Sequence, residues 1–200
     1  IRRTFTEHQR IIFNGNGYDG NWIAEAERRG LANLKSTADA LPAYVQQKNI
    51  DLFVKHGVYT EEEVRARYEI HVENYRTVLS IEAGTMIDMI RHEILPAVSG
   101  CAAELCERAF KKKEMGSSCR YETSTSQKLS ALTDTLMDGC AKLEADLAAI
   151  PSGAETAMRY CHDVLIPDMT AARETADQLE ALTDAKAWPF PVYSELLFSV

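Results

Sequence analysis

Three glycines near the start of the chain have the spacing of a phosphate-binding loop. Gly15, Gly17 and Gly20 form the pattern G-x-G-x-x-G, which joins a buried strand to a helix in dinucleotide-binding folds. Such a fold also needs a second strand that ends in a carboxylate for the ribose. The carboxylate at roughly the expected distance, Asp39, lies instead at the start of a predicted helix. We therefore interpret the segment as a connection that needs positive φ angles and small side chains, with nucleotide binding as the less favoured alternative.

Metal or acid–base chemistry would have to use the five histidines, which are His8, His56, His71, His92 and His162. A di-iron carboxylate bundle needs Glu-x-x-His motifs, and none of these histidines has Asp or Glu three residues before it. Asp88 and His92 could chelate one metal from a single helical face, but the pattern supplies no third ligand. His56, which precedes Gly57, is predicted to end a helix, where the helix dipole favours it.

Nucleophilic side chains are present without the bases that would activate them. Cys161 and His162 are adjacent, so on a helix they point to different faces. The acidic runs Glu61–Glu63 and Glu144–Asp146 indicate a first helical turn and a solvated face. Loop solubility and helix capping explain a cluster of serines, namely Ser117, Ser118, Ser124, Ser126 and Ser130. We therefore predict no catalytic, cofactor-binding or metal-binding residue in this chain.

The composition is that of an ordinary soluble chain. Its 200 residues suffice for one or two domains, and 46% of them are apolar and 26% charged. The net charge of −8 argues against nucleic acid or an anionic membrane as a partner, since both favour a basic surface. No apolar run approaches the roughly 18 to 20 residues of a membrane span and no signal peptide opens the chain, so a cytoplasmic location is predicted. Because the chain begins with Ile1 instead of Met, we expect it to be a fragment of a longer protein.

The cysteines are odd in number and include no C-x-x-C motif. This pattern predicts reduced and mostly buried thiols instead of a disulfide framework, for Cys101, Cys106, Cys119, Cys140 and Cys161.

Apolar residues recur three or four apart along most of the chain, which predicts long helices. The first long helix opens with a capping box at Thr60–Glu63 and carries a stripe from Val64 to Ile94. Pro96 removes a backbone donor and should kink this helix, which then continues as far as Lys111–Lys113.

Two further stripes follow a polar connection at residues 116–125. One stops at Pro151, and the other begins with a capping box at Ser152–Glu155 and should be kinked at Pro167. The members of the two stripes are Leu129, Leu132, Leu136, Cys140, Leu143, Leu147 and Ile150, then Met158, Cys161, Leu165, Met169, Ala172, Ala176, Leu179 and Leu182.

These patterns together predict an all-α fold. Three long helices with short connections should pack antiparallel as a helical bundle or hairpin, kinked at the two prolines. Leu136 and Leu143 share one stripe and should be buried. The run from Trp188 to Tyr193 contains two prolines, which forbid a helix there and predict a short extended C-terminal tail that docks on apolar surface.

Several short segments, in a fixed order along nearly the whole chain, carry a family resemblance. They are residues 10–18 (RIIFNGNGY), 39–42 (DALP), 52–61 (LFVKHGVYTE) with 67–70 (RYEI), 85–88 (TMID) with 94–97 (ILPA), and 188–191 (WPFP) with Tyr193 and 196–198 (LLF). In their order and spacing they resemble the C-terminal part of type III glutamine synthetase.

Similarity to the shorter bacterial glutamine synthetases suggests how the chain is organised. Residues 53–63 resemble the helix, glycine and cap near the C-terminus of those enzymes, and residues 191–200 resemble their terminal tail. The two segments lie close together in the shorter enzymes. The resemblance therefore implies three parts: residues 1–79 as the end of the catalytic domain, residues 80–187 as a helical insertion and residues 188–200 as an extended aromatic tail.

The resemblance implies a parent enzyme that uses ATP to ligate ammonia to glutamate through a γ-glutamyl phosphate, with Mg²⁺ or Mn²⁺. It also implies a homo-oligomeric ring, a dodecamer, in which this segment contacts the rest of the catalytic domain. The family's metal-binding glutamates, ATP site and catalytic arginine motif lie upstream, so this segment is expected to bind neither metal nor ATP. Tyr18 falls near a tyrosine that some bacterial synthetases modify, but its neighbours differ and that role is not transferred.

Two functions remain open from the sequence. The first is a non-catalytic segment that serves subunit assembly in a glutamine synthetase. The alternative is an independent all-α interaction or sensor protein without enzymatic activity. An open reading frame with several hundred upstream residues that include clustered glutamates would identify the first.

Overall fold

Helices form the regular structure of this chain. A computed structural model describes residues 1–191 and 193–198, and these residues contain no strand. The predicted all-α fold is confirmed. Packing divides the chain into two units, Ile1–Tyr68 and Glu69–Val200, which we describe separately. None of the described helices is both long enough and apolar enough to cross a membrane.

The first unit is built from short helices, two of which begin with a side-chain cap. Asp19 accepts a hydrogen bond from the Asn21 amide, and Ser36 accepts one from the Asp39 amide, so two helices have side-chain N-caps. The elements are α1 (Arg2–Glu7), a 3₁₀ turn (Gln9–Ile11), α2 (Gly20–Arg28), α3 (Thr37–Tyr44) and α4 (Gln47–Lys55).

Aromatic contacts pack the end of the first unit, and a capping box begins its last helix. The ring of Phe53 lies 5.6 Å from the rings of both Tyr44 and Tyr59. Helix α5 (Glu61–Met89) then begins with the predicted capping box. The Glu63 amide donates to Thr60 Oγ1 at 3.2 Å, and the Thr60 amide donates to Glu63 Oε2 at 2.8 Å, which confirms that prediction.

The second unit contains the rest of α5 and the long helices that follow. Helix α7 packs against both α6 and α9, and the short connection between α6 and α7 makes these two antiparallel, as predicted. The elements after α5 are a π turn (Ile90–Ile94), α6 (Leu95–Glu114), α7 (Arg120–Ala148), α8 (Ala154–Tyr160), a second π turn (Cys161–Leu165), α9 (Ile166–Glu180) and α10 (Tyr193–Phe198).

A single apolar core runs through the second unit. Leu136 and Leu143 are 1% and 0% exposed, which confirms the predicted phase of α7. Ile87 is also buried, where the predicted stripe had Met86, which is only partly buried. The other core residues belong to the three predicted stripes: Leu79, Ala83, Ile90, Ile94, Val98, Leu105, Leu129, Cys140, Cys161, Leu165, Ala172, Ala176 and Leu179. Burial of this apolar surface is the main stabilising term for the unit.

A π turn precedes each of the two prolines at which a kink is predicted. The amide of Leu95 donates to the carbonyl of Ile90, and the amide of Ile166 donates to the carbonyl of Cys161, five residues back in each case. The next residue is Pro96 in the first case and Pro167 in the second. Because proline lacks an N–H and its ring collides with the carbonyl four residues earlier, an extra residue in the preceding turn relieves the conflict.

Two predicted helix starts are wrong. Helix α8 has Gly153 as its N-cap, without a side-chain cap hydrogen bond in the described structure, so the predicted capping box at Ser152–Glu155 does not form. Ser152 lies one residue too early for the cap, and Thr156 Oγ1 instead donates to the Gly153 carbonyl at 2.9 Å. Helix α7 begins at Arg120, inside the connection predicted at residues 116–125, because tertiary contacts of its first turns support it.

The C-terminal tail differs in part from the predicted extended segment. Residues 188–191 are not helical, and the half-buried Trp188 and Phe190 pack on the core, as predicted for a docked aromatic tail. Residues 193–198 form helix α10, because the last proline, Pro191, lies before them and leaves them free to turn. Residues 192, 199 and 200 of the predicted tail lie outside the described residues.

Candidate functional site

The glycine-rich segment is fixed by an aromatic stack. The rings of Phe13 and Trp22 are stacked with centroids 4.2 Å apart, and a Cβ added at Gly15 would lie 2.5 Å from the Phe13 ring. A side chain at position 15 would therefore have to displace the Phe13 ring from its stack. The predicted positive φ angles at Gly15, Gly17 and Gly20 are wrong, because the glycines with positive φ are Gly30, Gly57 and Gly116, each just beyond a helix.

An arginine ties the same segment to helix α2. Arg29 donates from Nη1 to the Ile12 carbonyl at 2.8 Å, and its guanidinium lies 5.5 Å from the Trp22 ring centroid. Arg28 and Arg29 both bond the carboxylate of Glu25, at 2.6 and 2.5 Å. Hydrogen bonds from Arg28 and then Arg29 lower the pKa of Glu25 to about 2. The residues around the G-x-G-x-x-G pattern thus hold a connection in place, and the described structure has no strand before it.

Two of the histidines singled out in the sequence, His56 and His92, lie at the surface ends and faces of helices. Asp88 and His92 lie 3.8 Å apart with side chains 80% and 76% exposed, and the described residues contain no group of three His, Cys, Asp or Glu that could hold a metal. His56 is the C-cap of α4 and is followed by Gly57 at φ +63°, which confirms its predicted position at a helix end.

The cysteines are free thiols, as predicted, but fewer of them are buried than expected. Cys140 and Cys161 lie in the core, and burial raises the pKa of both. Cys106 is exposed, and Cys101 and Cys119 are half-buried, because they lie at or beyond the edge of the apolar stripes. His162, beside Cys161 in the chain, instead bonds Asp163 Oδ1 through Nδ1 at 2.6 Å.

The predicted solvated face at Glu144–Asp146 lies at the surface, where Glu144 is 51% exposed, and it also contacts neighbouring helices. Glu144 on α7 forms a two-pronged pair with Arg91, 53 residues earlier, with one contact of 2.7 Å. Asp146 accepts hydrogen bonds from Lys142 at 2.9 Å and from the hydroxyl of Tyr160 at 3.0 Å. The pKa of Asp146 is lowered, with the Lys142 hydrogen bond as the main cause. The acidic run at Glu144–Asp146 therefore helps to fix α7 against its neighbours.

An open apolar groove of about 620 Å³ lies between α5, the first π turn, α9 and the tail. We call it the groove. Trp188 and Phe190 contact each other edge to face with centroids 6.1 Å apart, and the small side chains of Ala172 and Ala176 leave space on the α9 side. The remaining apolar lining residues are Ile81, Met86, Met89, Ile90, Ile94, Pro191 and Leu196.

The rim of the groove is acidic. Glu82, Asp177 and Glu180 line it together with Arg173. Arg173 donates from Nε to Asp177 at 2.5 Å, so this cation is neutralised. Within the part of the chain that the structure describes, the carboxylates of Glu82 and Glu180 have no hydrogen-bond or ion-pair partner. The groove thus presents an apolar floor beside two available negative charges.

The turn between α6 and α7 is rich in lysine and arginine, unlike the acidic rim of the groove. We call residues 108–121 the tip, and they contain five Lys or Arg residues against one Glu, a formal charge of +4. Phe110, Met115 and Tyr121 are 62%, 82% and 67% exposed there. Gly116, at φ +69°, ends α6 by turning the chain.

An ion pair between a half-exposed lysine and a buried glutamate supports the tip. Lys112 bonds Glu122, whose side chain is 8% exposed, and this contact lowers the pKa of Glu122. Thr125 and Ser126 are buried on the next turn of α7. The sequence patterns did not predict this polar cluster, although a lysine in the last turn of α6 and a glutamate ten residues later could have indicated it.

Comparison with known proteins finds one family model and several relatives, all of which are glutamine synthetases. The family model described as the glutamine synthetase C-terminal domain matches residues 1–113. The chain is 35% identical to a glutamine synthetase from Butyrivibrio fibrisolvens, over 100% of the chain and 29% of that protein. It is 32% identical to the type-3 glutamine synthetase of Dictyostelium discoideum, over 99% of the chain and 28% of that protein.

A further relative, a glutamine synthetase from Bacteroides fragilis, is 26% identical over 100% of the chain and 28% of its own length. The chain therefore spans less than a third of each of these relatives. Since the family model covers more than half of its residues, this chain belongs to the glutamine synthetase C-terminal domain family.

Proposed function

We propose that this chain is the C-terminal segment of a glutamine synthetase and that it serves subunit assembly instead of chemistry. The parent would ligate ammonia to glutamate with ATP and Mg²⁺ or Mn²⁺, in the cytoplasm and as a homo-oligomeric ring. Support for the parent activity comes from the three relatives, which carry the name glutamine synthetase and align with the whole chain.

Uncovered apolar side chains on the second unit are the observation that carries the assembly role. The helices of this unit already bury a complete core, so these further apolar groups have no folding use in the chain itself. Three of them, Phe110, Met115 and Tyr121, fall together in the tip, and clustered apolar surface is typical of subunit contacts. The residues concerned are Ile70, Val78, Ile81, Phe110, Met115, Tyr121, Met137, Leu196 and Leu197.

We further propose that the parent enzyme divides within this chain as its resemblance implies. Residues 1–79 would complete the catalytic domain, residues 80–187 would be a helical insertion and residues 188–200 would be the tail. The packing of Trp188 and Phe190 on the core of the second unit supports an anchoring role for the tail, since large aromatic side chains are favoured anchors.

Deletion of residues 80–187 from the parent enzyme, with a short linker in their place, tests the assembly role. Light scattering should then report a changed oligomeric mass. Activity in the altered species would show that the catalytic part is folded. An unaltered ring that has lost activity would contradict the proposal, because the helices would then support the active site.

A further inference from the structure

We propose that the tip of one copy of the chain docks into the groove of a second copy. The inference rests on the proposed assembly function and names the two surfaces that meet. In this contact Phe110 and Met115 enter the apolar floor beside Trp188. Lys113 and Arg120 face the carboxylates at the rim.

The groove supplies an acceptor for an apolar, cationic partner. Its floor holds methionine, tryptophan and phenylalanine side chains, and methionine adapts well to the shape of a partner. Its rim carries the unpaired carboxylates of Glu82 and Glu180 described above. The face of Trp188 can also receive a lysine ammonium through a cation–π contact.

The tip supplies a partner with matching chemistry. Lys111 pairs with Glu107 at 2.5 Å and Lys112 pairs with the buried Glu122, so these two charges are used within the chain. The side chains of Lys113 and Arg120 have no such partner among the described residues. In the sequence they lie within ten residues of Phe110 and Met115, which are largely exposed. The tip therefore combines uncovered apolar groups with two available positive charges.

Charge favours a second copy of this chain as the occupant. Two copies with a net charge of −8 repel each other over most of their surface, and the available cations of Lys113 and Arg120 are a local exception. The other cations of the tip, Arg108, Lys111 and Lys112, are each paired with a glutamate of the same chain. The tip cannot reach the groove of its own chain, because the 20 residues of α6 separate the two by about 30 Å. A contact between two different surfaces of identical chains can close into a ring.

Charge-reversal substitutions in the 200-residue chain test this contact. One variant carries K113E and R120E on the tip, and a second carries E82K and E180K at the groove. In sedimentation velocity the wild-type chain should self-associate with rising concentration. Each variant alone should raise the dissociation constant more than about tenfold, since like charges would then meet.

Mixing the two variants gives the decisive test of whether the tip pairs with the groove. An equimolar mixture should form a one-to-one complex, because one intact tip and one intact groove remain. The chain with all four substitutions keeps the wild-type net charge and should regain self-association. A control with K48E and K128E makes the same change in net charge as the tip variant at exposed positions outside both surfaces, and it should associate like the wild type. Circular dichroism checks that every variant keeps its helices.

Two results would overturn the contact. One is a wild-type chain that stays monomeric at every concentration, and the other is a pair of variants that associate as the wild type does. If the deletion of residues 80–187 nevertheless changes the mass of the parent, the assembly role stands and only this pairing of surfaces is wrong. If the deletion leaves the ring intact, the assembly role itself fails.

Discussion

The two units of the chain hold their helices by different means. In the first unit the α2, α3 and α4 helices have eight or nine residues each, and caps, aromatic stacks and Arg29 fix them. Isolated helices of that length are marginal in water. In the second unit α7 has 29 residues and one continuous apolar stripe. We therefore expect the first unit to depend on single polar and aromatic contacts and the second on the volume of its core.

Truncation of a core residue in the second unit should have the greatest cost. Leu143 is fully buried, so Leu143→Ala should lower the free energy of unfolding by about 2–5 kcal/mol through lost burial and a new cavity. Urea denaturation measures this value. Met137 lies on the same helix but is 53% exposed, and Met137→Ala should have little effect. Equal losses in the two variants would show that the helix phase is wrong.

Loss of the aromatic stack should cost less and act on the first unit. Trp22→Ala removes the contacts of this ring with Phe13 and Arg29, which together should stabilise the unit by about 1–2 kcal/mol. Thermal unfolding of the variant gives the comparison. Tyr18→Ala is the control, since Tyr18 is fully exposed, and a larger loss at Tyr18 than at Trp22 would argue against the stack as an anchor.

Substitutions at Thr60 and Ser152 compare the capping box that forms with the predicted one that does not. Thr60→Ala removes the N-cap of α5 and should cost about 1 kcal/mol. Ser152→Ala should be nearly neutral, because α8 takes Gly153 as its N-cap. Denaturation midpoints of the two variants decide the matter, and a cost at Ser152 as large as that at Thr60 would count against the observed cap.

The smallest expected effect is a pH dependence of the stability of the first unit. The pKa of Glu25 is lowered to about 2 in the folded chain from an ordinary value of 4.5, so the folded state favours the ionised carboxylate. Its stabilising contribution is complete above about pH 4.5 and is lost as the pH falls towards 2. An NMR titration of the Glu25 carboxyl carbon should give the low value, and Glu25→Gln should remove this part of the acid sensitivity. A midpoint near 4.5 would mean that Arg28 and Arg29 do not hold this carboxylate in solution.

The sequence predicted those features that depend on neighbouring residues in the chain. The stripe that contains Leu136 and Leu143 is periodic, so burial follows from helix geometry alone. The capping box at Thr60 is likewise complete within four residues. Both predictions were confirmed because no distant contact competes with them.

Features that join distant residues could not be predicted in the same way. Arg91 and Glu144 are 53 residues apart, and only the packing of α7 brings them together. The groove depends on Ala172 and Ala176 lying opposite the docked Trp188, which no local pattern specifies. In both cases the decisive partner lies on another element, far away in the chain. Gly15 is a different case, because its partner, the ring of Phe13, is only two residues away and the orientation of that ring is set by its stack on Trp22.

A cryo-EM structure of the assembled parent enzyme tests the assembly role most directly. The quantity to measure is the exposure of Phe110 and Met115, which are 62% and 82% exposed in the single chain. We expect both side chains to be covered by a neighbouring subunit, with Trp188 of that subunit beside them. Both side chains remaining as exposed as in the single chain, with the groove open to solvent, would contradict the account.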